Sequence, residues 1–526
     1  MRFKKSALLL LSPLFATWAV AAISTPLEVS PEISKETSQK VPDAEGPAKA
    51  ALEAFRAGDH EKAIALATPL AASGNPEALY LLGFAHESGK GVEVSRDKAL
   101  EFYTKASAAG QKDAVYRLAF ILLASEKEEE RTKARTLLEG ALKTDPAVAG
   151  RILGEAWMRG RFSKEPDFDK TVEAWNAAAA KNDAPSIMLL ARLYEGQFGF
   201  ADKKDAKKSL SFYKKAAELG EPAAMSSLAS RLLNGDESIR NEAEGREWLK
   251  KAIEAKDYSA YLVLGDFEEN VKKDLKAALA AYEKGKDAEQ VDSMIRAAVF
   301  YLEGKGVEKD VERGNRLLEA AAKAGSADAH LRLAINAFGG EKPDVAKGYG
   351  HLVNAASGGI VEAQNELGLL YLSGKLGGAD APAAAAWFTR AAQAGFAASQ
   401  NNLGTLFERG AGVPQNFQNA GQLYALAAQQ GHGQATLALA RLHVHGAGTK
   451  KDLPKAWALA TVAGERGEKD AASVIKELEA NMSADQLAAG KKQLEEMKAA
   501  PKAAPKAAPK SEVTTEPKEA PKAPKK

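Results

Sequence analysis

Apolar residues recur along this chain in two alternating stripes, each with the period of a helix. Ala99, Phe102, Tyr103 and Ala106 stand at i, i+3, i+4 and i+7, one face of an α-helix. The same slots hold Ala384, Trp387, Phe388 and Ala391, then Ala420, Leu423, Tyr424 and Ala427. Upstream of each runs a second stripe. Ala78, Leu82, Ala85 and His86 return as Ala363, Leu367, Leu370 and Tyr371, and again as Ser399, Leu403, Leu406 and Phe407. Polar residues punctuate this pattern once per cycle of 33–38 residues. Ser95, Asp167, Asp205, Asn241, Asp274, Asp310, Asp344, Asp380, Asn416 and Asp452 head the downstream stripes, with Glu130 the exception. These residue types cap helices, because a short side-chain oxygen accepts an orphan N–H of the first turn.

Glycines close the cycle. Gly110, Gly220, Gly325, Gly359, Gly395, Gly431 and Gly467 follow seven of the downstream stripes, where a left-handed residue ends a helix. Pro382 and Pro454 fall two residues after their caps, where the missing N–H costs nothing. Between the two stripes lies a Gly-x-Gly-Val turn: Gly89, Gly91, Val92; Gly304, Gly306, Val307; Gly410, Gly412, Val413. Each cycle therefore reads as an αα-hairpin. A lone hairpin leaves one apolar side uncovered, and stacking its neighbours buries that side.

The run Leu403-Gly404, Phe407, Gly410-Ala411-Gly412-Val413, Asn416, Ala420, Tyr424, Ala427-Ala428 and Gly431 resembles one Sel1-like repeat, a relative of the tetratricopeptide repeat. Eleven such units are expected over 75–467, with 111–145 and 257–289 degenerate and lacking the Gly-x-Gly-Val turn. Residues 47–74 read as a shorter tetratricopeptide-like first hairpin. The resemblance implies an all-α fold, an α-solenoid in which stacked hairpins form a right-handed superhelix. It also implies an adaptor or scaffold role. Some bacterial cysteine-rich relatives bind or act on cell-wall precursors, but their repeats carry paired cysteines, and this chain has none.

The ends differ in kind. Arg2, Lys4 and Lys5 precede an apolar run from Ala7 to Trp18 and then Ala19-Val20-Ala21, the layout of a secretory signal peptide over 1–21 cleaved after Ala21 or Ala22. The run is shorter than the roughly 20 residues a membrane span needs, so no transmembrane segment is expected after cleavage. The expected location is periplasmic or secreted, in a bacterial envelope of the Gram-negative type. Residues 22–46 read as a disordered linker. Residues 468–500 read as capping helices, with Ser483 and Gln486 forming a capping box. The stretch 501–526, with seven Lys and three Glu among Pro and Ala, reads as a disordered basic tail.

Charge and chemistry narrow the function. The formal net charge of +2 becomes −1 once the three basic residues of 1–21 are removed, so nothing favours nucleic acid. The absence of cysteine excludes disulfides, thiol nucleophiles and Cys-based zinc sites. His443 and His445 diverge by about 200° on a helix, and His443 occupies a packing slot. Ser95-Arg-Asp-Lys98 and Ser211-Phe-Tyr-Lys214 fit a Ser-x-x-Lys spacing without its companion motifs. Trp157, Trp175, Trp248 and Trp387 sit in repeat slots that read as core. No catalytic residue, cofactor or metal ligand is expected.

What remains is binding. The first helix of each hairpin is expected to line a concave face holding a protein or peptide partner. Gln364, Asn365 and Glu366, then Gln400, Asn401 and Asn402, are expected to be exposed there. Their amides could clamp a peptide backbone, with Gln364, Asn365, Gln400 and Asn401 the principal candidates. The alternative is a cell-wall protein, binding or modifying peptidoglycan, whose basic tail tethers it to anionic envelope polymer.

Overall fold

The computed structural model describes residues 46–339 and 343–499. The signal-peptide, linker and tail readings therefore lie outside the described residues, apart from Gly46. Within the described residues there are 26 α-helices and no strand. They occur as sequential pairs, such as Pro76–Ser88 with Arg96–Ala108, Val361–Leu372 with Ala381–Gln393, and Ala397–Arg409 with Phe417–Gln429.

Local chemistry starts each second helix at a fixed point. All ten Ser, Asp and Asn residues named above accept the backbone N–H three residues on, at 2.8 Å for Asp310 and 3.3 Å for Ser95. The N–H groups of nine of them, all but Asp274, tie the hairpin shut. Asp380 N–H donates to Tyr371 O (3.0 Å), Asn416 N–H to Phe407 O (2.9 Å), and Asp452 N–H to His443 O (3.0 Å). One residue thus caps the second helix and satisfies a carbonyl of the first. Glu130 plays another part. It lies inside Glu128–Ala141, a helix without a side-chain cap, and pairs with Arg96.

The Gly-x-Gly turn joins a hairpin to the one before it. Gly410 is the left-handed C-cap of Ala397–Arg409. Gly412, at φ +73°, presses on the start of the preceding second helix. A Cβ there would lie 2.3 Å from the carbonyl carbon of Ala381. Gly404 serves a second contact, for its Cβ would meet the ring of Tyr424 at 2.8 Å. Glycine on the first helix lets the second-helix aromatic lie flat against its backbone. Tyr103, Phe388 and Tyr424 are almost fully buried in this way, each aromatic contributing on the order of 2–3 kcal/mol.

The chain divides into two compact units at 272/273. The first holds six complete hairpins and Ser259–Phe267, which ends in a π-turn over Glu268–Lys272. The second begins with Leu275–Asp287, continues through five hairpins, and closes with Ala471–Asn481 and Ala484–Ala499. The division falls inside 257–289, a segment without the Gly-x-Gly-Val turn. At the far end, Ser483 N–H donates to Gln486 Oε1 (3.0 Å) while Gln486 N–H donates to Ser483 Oγ (3.2 Å), the reciprocal pair of a capping box.

Candidate binding surface

The amide cluster lies on two consecutive first helices, Val361–Leu372 and Ala397–Arg409. Its expected exposure is corrected by the structure. Gln364, Asn365, Gln400 and Asn401 are all buried. The reason is that these helix faces meet the neighbouring hairpin rather than water. Gln364 Nε2 donates to Ala356 O (3.0 Å) and Gln400 Nε2 to Ala392 O (3.3 Å). Both carbonyls belong to the last turn of the preceding second helix, where the N–H three residues on, of Gly359 (3.1 Å) or Gly395 (3.0 Å), also reaches them, and the glutamine is a second donor. The equivalent carbonyls elsewhere recruit other donors: Lys215 Nζ reaches Ala179 O (2.8 Å), and Arg466 Nη1 reaches Ala428 O (3.0 Å). The two glutamines therefore staple hairpin to hairpin.

The asparagines are used differently. Asn365 Oδ1 accepts from Ser399 Oγ (3.0 Å) and from Asn402 Nδ2 (2.9 Å), joining the two first helices directly. Asn401 Nδ2 lies 3.5 Å from Asn402 Oδ1. Gln364 and Gln400 stay apart, each in its own inter-hairpin seam. Glu366 and Asn402 are the members left half-buried. Burial holds the Glu366 carboxyl above the usual carboxylate range, while the Asn365 amide opposes the shift.

Two participants escaped the sequence reading. Gln430 Nε2 donates to Gln400 Oε1 (2.8 Å), and Ser399 supplies the hydroxyl to Asn365. Gln364 Oε1, by contrast, is buried and accepts no hydrogen bond. The residue 36 positions before Gln430 is Ala394. A comparison of repeats at that spacing contains this difference, but not that position 430 reaches position 400.

His445 is exposed, and the other candidate histidines, serines and tryptophans are used in packing and capping. His443 Nδ1 lies 3.1 Å from Lys450 O, and His86 Nδ1 lies 3.0 Å from Glu93 O, each bracing its own hairpin turn. His432 Nδ1 accepts from Ala435 N–H (3.3 Å) as an N-cap. Ser95 caps a helix, and Ser211 Oγ donates to Lys208 O (2.8 Å). Trp175, Trp248, Trp387 and Trp457 are buried, and Trp157 is half-buried. Trp175 Nε1 donates to Arg151 O (3.1 Å). No helix among the described residues is long and apolar enough to cross a membrane.

Seven segments match the Sel1 repeat family: 76–111, 184–221, 222–257, 291–326, 361–396, 397–432 and 433–468. The chain is a Sel1-repeat protein. The amide cluster straddles two of its matched repeats. Among curated proteins, it is 26% identical over 245 residues to the chitin synthase regulator SKT5 of Saccharomyces cerevisiae, covering 44% of this chain and 35% of that protein. It is 25% identical over 282 residues to the uncharacterized protein NMB1327 of Neisseria meningitidis serogroup B, covering 52% and 56%. The Sel1-repeat chain thus spans about a third and about half of these relatives. Two solved structures are also similar. One is c5321, a protective antigen of uropathogenic Escherichia coli strains with an SLR fold (TM-score 0.45, 22% identity, covering 82% of this chain and 94% of that one). The other is a Sel1 repeat protein from Oxalobacter formigenes (TM-score 0.36, 22% identity, covering 72% and 90%).

Proposed function

We propose that this chain is an exported scaffold that holds a protein or peptide along the face lined by the first helices of its hairpins and performs no chemistry itself. One observation carries the reading. A single slot recurs every 34–36 residues on the first helices of the second unit, filled by Arg296, Arg332, Glu366, Asn402 and Ala438. All five are half-buried. A fixed frame with varied side chains suits recognition of an extended partner. The name of one relative, a regulator of chitin synthase, favours a role exerted on another protein. Export rests on the signal-peptide pattern of 1–21.

A photo-crosslinking residue placed at 366 or 402, with a control at exposed Gln393, tests this in exporting cells. One protein adduct from 366 and 402 but not from 393 is the expected result. Adducts of equal yield from all three positions, or none, would remove the proposal. The N-terminus of the exported chain is expected at Ala22 or Ile23, read by mass spectrometry. The rival reading, peptidoglycan held by the Lys-rich tail over 501–526, requires sacculus binding that disappears when 501–526 is deleted.

A further inference from the structure

Several carboxylates on the first helices, or just past their C-terminal ends, are paired with arginine where they are shielded from water. Glu87 meets Arg117 (3.3 Å), Glu155 meets Arg159 (2.6 Å), Glu195 meets Arg231 (2.6 Å), and Glu268 meets Arg246 (2.7 Å). Asp328, one hairpin before Glu366, is held by Arg332 (2.8 Å). Glu77 and Glu408 are half-buried on first helices without an ion pair, Glu408 accepting from Tyr424 Oη (2.6 Å) instead, and Glu366 joins them. It is half-buried, yet no lysine, arginine or histidine among the described residues forms an ion pair with it.

The hydrogen bonds around it have a direction. Ser399 Oγ and Asn402 Nδ2 both donate to Asn365 Oδ1, which fixes the orientation of that amide. The Asn365 amide, next to Glu366 in sequence, favours the charged form of its carboxyl. Asn401 Nδ2 points at Asn402 Oδ1 from 3.5 Å, continuing the same sense. Beside these fixed amides stands a carboxylate with no ion-pair partner among the described residues. An arrangement of this kind holds the acceptor in place and leaves a negative charge partly desolvated. A cation brought to it meets less solvent screening than at an open surface.

We propose that Glu366, flanked by Asn402, is a subsite for a basic side chain, lysine or arginine, of an extended peptide lying along the first helices. The assignment rests on the scaffold reading above and names the chemistry of its partner. An anionic ligand is disfavoured by the uncancelled carboxylate. A metal ion is disfavoured because the described residues contain no group of three His, Asp or Glu suited to hold one. A guanidinium fits the carboxylate through two parallel hydrogen bonds, and an ammonium fits it as a point charge.

The test selects random displayed peptides against the chain from Ala22 onward, then forms a double-mutant cycle. Binders are expected to share one Arg or Lys position. Replacing that residue by Gln should weaken binding about tenfold or more. Glu366→Gln should cost the same factor and make the chain indifferent to the peptide change. Thermal melts verify that the variant folds, and at neutral pH it should melt no lower than the parent. Binders without a shared basic residue, or a basic residue whose effect survives in Glu366→Gln, would overturn the subsite while leaving peptide binding intact. Failure to enrich any peptide would overturn both readings.

Discussion

A single missing amide distinguishes two otherwise equivalent seams. Gln400 Oε1 receives Gln430 Nε2 at 2.8 Å, whereas Gln364 Oε1 is buried without a donor because position 394 is alanine. Ala394 and Gln430 are both helix C-caps with nearly the same backbone angles, φ −75° and −83°. Ala394→Gln therefore needs no backbone change and should stabilise the chain by about 1 kcal/mol, the net worth of one hydrogen bond. Urea denaturation reads it as a higher midpoint at unchanged slope; an unchanged or lower midpoint would refute the account of the seam. The imidazoles set a pH dependence. Burial holds His330, His351, His432 and His443 below their ordinary pKa of 6.5. His330 and His351 also face each other, Nδ1 to Nδ1 at 3.0 Å, with Lys347 disfavouring and Glu319 favouring the charge on His351. A depressed folded pKa means that the unfolded chain takes up protons first. The stability these neutral rings contribute is thus present above pH 6.5 and lost as pH falls through the folded values. Melting midpoints should drop from pH 7 toward pH 5.5, and His351→Gln should flatten that slope. An identical slope in the variant would show that the pair does not drive it.

Helix boundaries follow from short-range rules, and for that reason they were legible in the sequence. Each cap needs only its own oxygen and an N–H three residues away, and each closing glycine needs only its own φ. The Gly-x-Gly turn contains both kinds of information. Gly410 ends its helix locally, but Gly412 is demanded by the backbone of Ala381, 31 residues earlier. The amide cluster was misjudged for the same physical reason. Periodicity places Gln364 and Gln400 on a helix face, yet whether that face meets water depends on how the next hairpin leans. That lean is set by contacts 30 or more residues away, such as Asn402 Nδ2 to Asn365 Oδ1 (2.9 Å) between consecutive hairpins. These two classes predict different costs. Asp380→Ala removes one cap and should cost about 1 kcal/mol. Gly412→Ala must push two hairpins apart and strain a left-handed residue, so its cost should clearly exceed that of the cap. Chemical denaturation of the two variants settles the order, and a Gly412→Ala penalty at or below that of Asp380→Ala would contradict the close approach.

A stack of hairpins derives its stability from nearest neighbours, so its parts need little from distant repeats. The division at 272/273 applies this to the whole chain. It falls in one of the two degenerate stretches: 257–289 lacks the Gly-x-Gly-Val turn, and Glu268–Lys272 takes a π-turn in place of it. Glu268 is buried there and bonded to Arg246 (2.7 Å), while Lys272 pairs with Glu242 (3.1 Å). The first unit therefore ties off its last helix with its own side chains. The second unit is tied off by Trp457, whose Nε1 donates to Glu479 (3.0 Å), and by the capping box at Ser483. Each unit has its own buried core: Trp175, Tyr213 and Leu228 in the first, Phe388, Leu403 and Tyr424 in the second. Residues 46–272 and 273–499, expressed separately, should each be helical and unfold cooperatively. The sum of their unfolding enthalpies should approach that of the full span. Calorimetry and circular dichroism on the three proteins decide this. A 273–499 fragment that is unstructured alone would show that its first helix, Leu275–Asp287, depends on the preceding repeats, and the chain would then have to be treated as one cooperative array.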